Sequence, residues 1–356
     1  MDGFEGKTAG RAPLEYPFGQ DGPEVGDTLE VAPGIYWVRM PLPFSLQWIN
    51  LWLIDDGARG WTIVDTGMPF EDTKAAWRKI FEEKLDGRPV WRVIVTHMHP
   101  DHIGNAGWLS RKFPDSEFWI SRLEYISCRM LVADTGRKAP EVGMEFYRQA
   151  GWNGDQIANY EARFGGFGRG VSRLPDAYFR LEDGDAFEMA GEEWIIVTGH
   201  GHSPEHSCLF CPALNVVISG DQLLPRISSN VSVFPTEPEA NPLKDWLESC
   251  EKLKAVLPSD VLVLPAHNAP FKGAQQRLDH LIKGHGVALK RLKQRLAQEP
   301  RRVVDVFPAI FGRKIDDDVI SMATGEAIAH LNYLIANGDA TRSKDEAGIA
   351  WYRADP

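Results

Sequence analysis

The sequence predicts an α/β fold: an αββα sandwich of two mixed sheets with helices outside, carrying a helical insertion and a small C-terminal domain. Three observations predict it. Short β-rich runs broken by Pro-Gly, Pro-Leu-Pro and Asp-Asp-Gly open the chain, strands then alternate with amphipathic helices, and the strands-then-helix pattern occurs twice. A pattern repeated in this way suggests two sheets packed face to face.

Taken in order, residues 1–24 are rich in Gly, Pro and charge without periodicity and read as a flexible arm. A catalytic domain is expected over 25–275. It begins with strands at Thr28–Val31, Ile35–Met40, Trp48–Ile54 and Trp61–Val64. The spacing of Ala75, Ala76, Ile80, Phe81 and Leu85 then predicts a helix over 70–85. A strand at 90–95 follows, then a helix through Ile103, Ala106, Trp108 and Leu109, then a strand at 117–120. Residues 122–174 interrupt the alternation with three helices and a Phe-Gly-Gly-Phe-Gly-Arg-Gly run. An insertion of this length usually covers a site or makes an interface, so a lid is expected, with an apolar wall drawn from Tyr125, Met130, Met144, Phe146, Tyr147, Trp152, Phe164 and Phe167. Five short strands between 178 and 219, a helix at 242–257 and a strand at 261–265 close this half.

The chemistry concentrates in Thr96-His97-Met98-His99-Pro100-Asp101-His102, which follows an apolar strand. Three imidazoles and a carboxylate within six residues suit a divalent metal ion such as zinc, iron or manganese, and ordinary packing has no use for them. Strand alternation would send His97 and His99 to the same side. Pro100 and Asp101 read as a helix start, through the fixed φ of proline and the positive end of the helix dipole. Further candidates follow other strands: Gly199-His200-Gly201-His202-Ser203-Pro204-Glu205-His206, Ser219-Gly220-Asp221 and Pro265-Ala266-His267. Together they supply nitrogen and oxygen ligands enough for two ions. Cys208 and Cys211 are spaced like half a zinc site or a redox pair, but lie in one strand, where residues three apart point to opposite faces. A structural role is expected for them.

Composition narrows the function classes. At 356 residues with 43% hydrophobic and 25% charged residues, the chain can bury one large core or a large and a small one. The net charge of −11 disfavours general nucleic-acid binding. Four cysteines make no disulfide framework and fit a reducing compartment. Neither a signal-like N-terminus nor eighteen consecutive apolar residues is present, so a cytoplasmic protein without membrane contact is expected.

These motifs in combination resemble the metallo-β-lactamase superfamily over residues 28–275, with a metal site like that of glyoxalase II. The resemblance implies that His97, His99 and His202 hold one metal, that Asp101, His102 and His267 hold a second, and that Asp221 bridges them. Asp65, in Val64-Asp65-Thr66-Gly67, and His206 would stand behind the ligands; His200 would not be one. A departure from the pattern is Glu205, a carboxylate in Ser203-Pro204-Glu205-His206. Two divalent ions, zinc first with iron or manganese as alternatives, would share a water and lower its pKa from about 16 toward 7, giving a bridging hydroxide. Asp101, beside that water, is the candidate catalytic residue. The expected function is hydrolysis of an ester-like carbonyl in a thioester, ester or lactone. The alternatives are a phosphodiesterase or ribonuclease with the same site, or a diiron redox protein. Eight Lys and Arg against six Asp and Glu over 122–174 favour an anionic small-molecule partner, and hence an acyl thioester of coenzyme A or glutathione.

Residues 276–356 predict a long helix at 275–298, a short one at 303–311, a third at 317–336 and a strand pair within 340–353. This order resembles a winged-helix module. Residues 316–337 hold Asp316, Asp317, Asp318 and Glu326 and no Lys or Arg, so DNA binding is not expected, and packing, pocket completion or homodimer formation is favoured.

Overall fold

A computed structural model describes residues 14–43 and 46–355. β1 (Thr28–Ala32), β2 (Ile35–Pro41), β3 (Trp48–Asp55) and β4 (Trp61–Val64) run as an antiparallel meander. α1 (Glu71–Glu83) carries the chain across to β5 (Val90–Ile94), and α2 (Pro100–Ile103) and α3 (Ala106–Lys112) carry it to β6 (Glu117–Ser121). The insertion follows: α4 (Arg122–Ala133), α5 (Glu141–Gln149), α6 (Gly154–Arg163) and a 3-10 turn at Gly166–Gly170. β7 (Phe179–Leu181) then completes a seven-stranded sheet in the order β1 to β7, parallel from β4 onward.

The second sheet has the order β12-β11-β10-β9-β8, built from β8 (Ala186–Met189), β9 (Glu192–Gly199), β10 (His206–Cys211), β11 (Val216–Gly220) and, after α7 (Pro242–Val256), β12 (Leu262–Pro265). Its β11 and β12 are parallel and the other pairs antiparallel. The chain ends with α8 (Ala274–Gln298), a 3-10 turn at Val303–Val306 leading into α9 (Phe307–Ile310), α10 (Ile320–Ala336) and the hairpin β13 (Thr341–Lys344) and β14 (Ala350–Arg353).

The layers follow from which residues each strand buries. Trp37, Trp52, Ile54, Val64 and Ile94 of the first sheet pack against Ile196, Leu209, Ile218 and Leu264 of the second. The outer face of the first sheet is covered through Trp77, Ile80, Leu109 and Cys128, and that of the second through Trp246, Cys250, Leu278 and Leu292. Strands covered on both faces need almost wholly apolar side chains, and Leu-Trp-Leu-Ile of β3 and Val-Val-Ile of β11 supply them. Each fully buried large side chain contributes about 1.5–3 kcal/mol. The expected αββα sandwich is therefore the observed one.

Several expectations need correction. Residues 14–24 are not a loose arm: Glu15 pairs with Lys272 through backbone bonds of 3.2 and 2.9 Å, and Tyr16 and Phe18 pack on the core. Residues 1–13 lie outside the described residues. Most of the insertion's aromatic residues do not form the expected apolar wall, although Phe167 does line a cleft with Asp101. Tyr147 and Trp152 join one hydrophobic cluster with Val303, Ile310 and Leu331, and Tyr125 packs with Phe118 beneath the first sheet. Their aromatic side chains are mostly core, because short helices without a sheet of their own must bury one face somewhere. Glu326, one of the four acids counted above, is buried with most of α10. Cys208 and Cys211 do face opposite ways, one toward the helices and one between the sheets. Burial pushes the Cys208 thiol up to about 12. Among the described residues, no helix is long and apolar enough to cross a membrane.

Candidate metal centre

Strands β4 and β5, and strands β11 and β12, run parallel within their sheets, so the loops at their C-terminal ends share an edge. Asp65 follows β4, the His97–His102 segment follows β5, Asp221 follows β11 and His267 follows β12; His202 comes in the loop between β9 and β10. β5 ends at Ile94, so His97 and His99 sit in a loop and meet through its turn, not through strand alternation. Pro100 opens α2 as expected, with Asp101 in its first turn.

All seven expected ligands converge. Ligand atoms of His97, His99, His202 and Asp221 lie within 4.8 Å of one another, and so do those of Asp101, His102 and His267. Asp221 stands between the two groups. Its Oδ2 is 3.3 Å from His202 Nε2, and its Oδ1 is 3.5 Å from both His102 Nε2 and His267 Nε2. Asp101 Oδ2 lies 3.4 Å from His267 Nε2. His97 Nε2 and His99 Nδ1 are 2.9 Å apart.

Four of the five imidazoles are aimed by a partner on the other nitrogen, the usual device for fixing tautomer and ring angle at a metal site. His102 Nδ1 meets Asp65 Oδ2 at 2.7 Å, His202 Nδ1 meets the Asn230 carbonyl at 2.8 Å, and His267 Nδ1 meets the Trp48 carbonyl at 3.1 Å. His97 Nδ1 lies 3.1 Å from Thr96 Oγ1. Asp65 is itself fixed: its carboxylate accepts from the Thr96 amide at 2.8 Å and from the Thr96 hydroxyl, and its backbone takes the left-handed φ of 61° that the tight turn after β4 demands. His206 holds Asp221 from behind, its Nε2 accepting from the Asp221 amide at 3.0 Å. Gly220 at φ 48° lets that ring approach, since a Cβ there would meet His206 at 2.5 Å. His200 takes no part; its ring bonds the Pro204 carbonyl.

The charges balance within the site. Burial would raise the Asp101 carboxyl, but His102 and His267 outweigh it and hold the group at about 2. Burial likewise opposes the shift of Asp221, yet His267 and His102 keep it well below the usual carboxylate range. Burial pushes His99 down to about 3 and His97 well down too, so both are neutral and able to donate a lone pair. His102 Nε2, His202 Nε2 and Asp221 Oδ1 are buried and make no hydrogen bond, a costly arrangement without a cation among them. The imidazole and carboxylate set therefore fits divalent ions, and the division of Asp221 between two groups fits two of them.

Sequence reasoning missed Glu124. Its buried carboxylate accepts from the Met98 amide at 2.9 Å and the Glu205 amide at 2.7 Å, tying the His97–His99 loop to the loop after His202. Glu205 does not face the metal centre; its side chain accepts from the Leu123 amide at the start of α4. Asn230 was missed as well. It acts on His202 through a carbonyl that every residue has, so no sequence signal marks it.

The comparisons agree with the geometry. A model of the metallo-beta-lactamase superfamily matches residues 49–267, and one of the metallo-beta-lactamase-like C-terminal domain matches 289–355. A solved beta-lactamase domain protein from Burkholderia ambifaria is similar at 40% identity and a TM-score of 0.87, covering 96% of this chain and 98% of its own. A metallo-beta-lactamase family protein from Thermus thermophilus shares the fold at a TM-score of 0.76 and 24% identity, over 91% of this chain and all of its own. An atrochrysone carboxyl ACP thioesterase of Aspergillus fumigatus is 22% identical over 295 residues, 79% of this chain; the match spans 55% of that protein's length.

Proposed function

This chain belongs to the metallo-β-lactamase superfamily, and on that premise we propose that it is a binuclear metal hydrolase of acyl thioesters carried on an anionic group such as coenzyme A. The observation that carries the hydrolase reading is Asp221, with one oxygen toward each of two ligand groups. Support for a thioester comes from the relative named as a thioesterase.

His97, His99 and His202 would hold one ion, Asp101, His102 and His267 the other, with Asp221 between them and zinc the first choice for both. When bound, such ions supply Lewis acidity, polarising an acyl oxygen and making a water acidic near neutral pH. The chain's own residues supply placement. Asp101 is ionised and lines an open cleft, so it can accept a hydrogen bond from the attacking water and orient it toward the acyl carbon. Addition of water and cleavage of the C–S bond give the acid and the thiol. Asp65 and Asn230 hold His102 and His202 in the tautomer whose Nε2 faces the site. Four buried, unpaired cysteines fit a reducing compartment, the cytoplasm.

The test combines elemental analysis of protein purified without chelator with a substrate panel on the metal-reconstituted enzyme: acyl-coenzyme A, lactone, carboxylic ester and RNA. About two ions per chain and fastest turnover of the thioester are expected. One ion at full occupancy sinks the binuclear reading, and faster cleavage of RNA than of any carbonyl substrate sinks the thioesterase reading.

A further inference from the structure

The run Phe164-Gly165-Gly166-Phe167-Gly168-Arg169-Gly170 belongs to neither the ligand set nor an α-helix, and its glycines have a physical reason. Gly165, at φ 71°, lies so close to Asp134 that a Cβ would meet its carbonyl oxygen at 2.3 Å. A Cβ on Gly168 would meet Thr135 Oγ1 at 1.9 Å, and one on Gly170 would meet Pro100 Cβ at 2.8 Å. The ribbon is thus pressed between the end of α4 and the proline that opens α2. The residue after that proline is Asp101. Sequence spacing alone separates Arg169 from Asp101 by more than sixty positions, and the glycines close that gap.

The result is a cleft of about 360 Å³ whose lining includes Met68, Phe70, Pro100, Asp101, Phe167 and Arg169. Pockets for small ligands run from about 300 to 1,000 Å³, so this one takes a small group. Its surface is apolar apart from Asp101 and Arg169. Phe70 is partly exposed and offers a phenyl face to the cleft. Arg169 is exposed and has no carboxylate at ion-pair distance among the described residues; Arg122 and Lys138 of the same insertion share that but do not line the cleft, while Arg129, Arg137, Arg148, Arg163 and Arg173 each face an acid.

We propose that this cleft seats the acyl limb of the substrate, and that the limb is apolar along its length and ends in a carboxylate met by Arg169. The proposal rests on the thioesterase reading for the word acyl. The carrier limb is the poorer occupant, because a pantetheine arm would bury its amides against Met68, Phe70, Pro100 and Phe167 without hydrogen-bond partners. An aliphatic or aromatic acyl chain meets the same surface at no such cost. The Arg169 guanidinium in the same lining then selects an anion.

The test is calorimetry on the metal-loaded enzyme with two product acids, a medium-chain dicarboxylic acid and its monomethyl ester. Both keep one carboxylate for the metal centre, so their difference reports the far end. The diacid should bind about five- to tenfold tighter, and Arg169→Met should erase that advantage while leaving the half ester unchanged. Phe167→Ala should weaken both. Equal affinities, or an advantage that survives Arg169→Met, overturn the proposal. A kinetic arm compares KM for the diacid and half-ester thioesters on coenzyme A and on pantetheine, which lacks the nucleotide phosphates. If Arg169→Met alters the preference between carriers and not between acyl groups, the cation serves the carrier and the assignment is wrong. If no thioester is turned over but the binding difference persists, the thioesterase reading falls while the anion-selecting cleft stands.

Discussion

His202 is held by Asn230, whose carbonyl accepts from Nδ1 at 2.8 Å. A carbonyl cannot donate, so Nδ1 carries the hydrogen and Nε2 keeps its lone pair for the metal centre. The side-chain amide of the same Asn230 donates to Glu326 Oε2 at 2.8 Å, and Ser232 donates to Asn230 Oδ1. A candidate metal ligand is thereby connected, in two steps, to the buried helix α10 of the C-terminal domain.

Stability should fall with rising pH because of Glu326. Burial raises its carboxyl to about 8 from an ordinary 4.5, with the Asn230 hydrogen bond only partly opposing. The fold therefore holds that proton more tightly than the unfolded chain does. The resulting stabilisation is complete below pH 4.5, shrinks between 4.5 and about 8 and is gone above, a swing on the order of 3–5 kcal/mol. Glu326→Gln, which stays neutral and keeps an acceptor for Asn230, should flatten the profile. Urea midpoints from pH 5 to 9 for the two proteins check this; parallel profiles would refute it.

What was legible in the sequence, and what was not, divides along physical lines. Strands such as Trp48–Asp55 and Trp61–Val64 could be read because apolar runs between Pro and Gly punctuation have few other uses. The ligands could be read because His97, His99, Asp101 and His102 crowd into six residues. Glu124 could not, since a glutamate in the first turn of a helix looks like a surface residue favoured by the helix dipole. The insertion's aromatics were legible as apolar but not in their destination: only tertiary packing sends Tyr147 and Trp152 to the C-terminal core and Phe167 to the cleft.

Asp101→Asn should reduce turnover by about 10² or more while the protein still folds. The change conserves volume and removes a charge that faces His267 and His102 at 3.4 and 3.8 Å, not one that holds a strand or a core together. Steady-state kinetics beside a thermal melt separate the two effects. Turnover at the wild-type level with full metal loading would remove Asp101 from the mechanism.

Glu124→Ala should cost both stability and metal affinity. Two amides, that of Met98 buried and that of Glu205 partly buried, lose their acceptor, at up to about 1–3 kcal/mol each. The loops they belong to carry His97, His99 and His202, so affinity should fall about 10- to 100-fold, as is common when support behind ligands is removed. Glu124→Gln, which keeps one acceptor oxygen, should fall between. Chelator competition measures affinity; an unchanged constant in the alanine variant would show that the clamp is not needed.

The C-terminal domain should prove inseparable from the catalytic half and indifferent to DNA. Twelve of the seventeen residues of α10 are buried, on all sides of the helix, which leaves no face to lie in a groove. Gly325 of that helix accepts from the Val233 amide at 3.1 Å, and a Cβ there would meet Ser232 at 2.7 Å, so the helix and the segment that follows Asn230 are in direct backbone contact. Asp316, Asp317 and Asp318, just before the helix, are exposed and would repel phosphates. Two outcomes are expected. The full chain shows no duplex binding in fluorescence anisotropy at physiological salt, and a chain cut after residue 275 fails to fold, because the cut strips Leu278, Leu292, Ala327 and Leu331 from a cluster that also holds Trp246 and Val263. A tight, salt-sensitive isotherm would overturn the first, and a soluble truncated protein with full metal content and a cooperative melt would overturn the second.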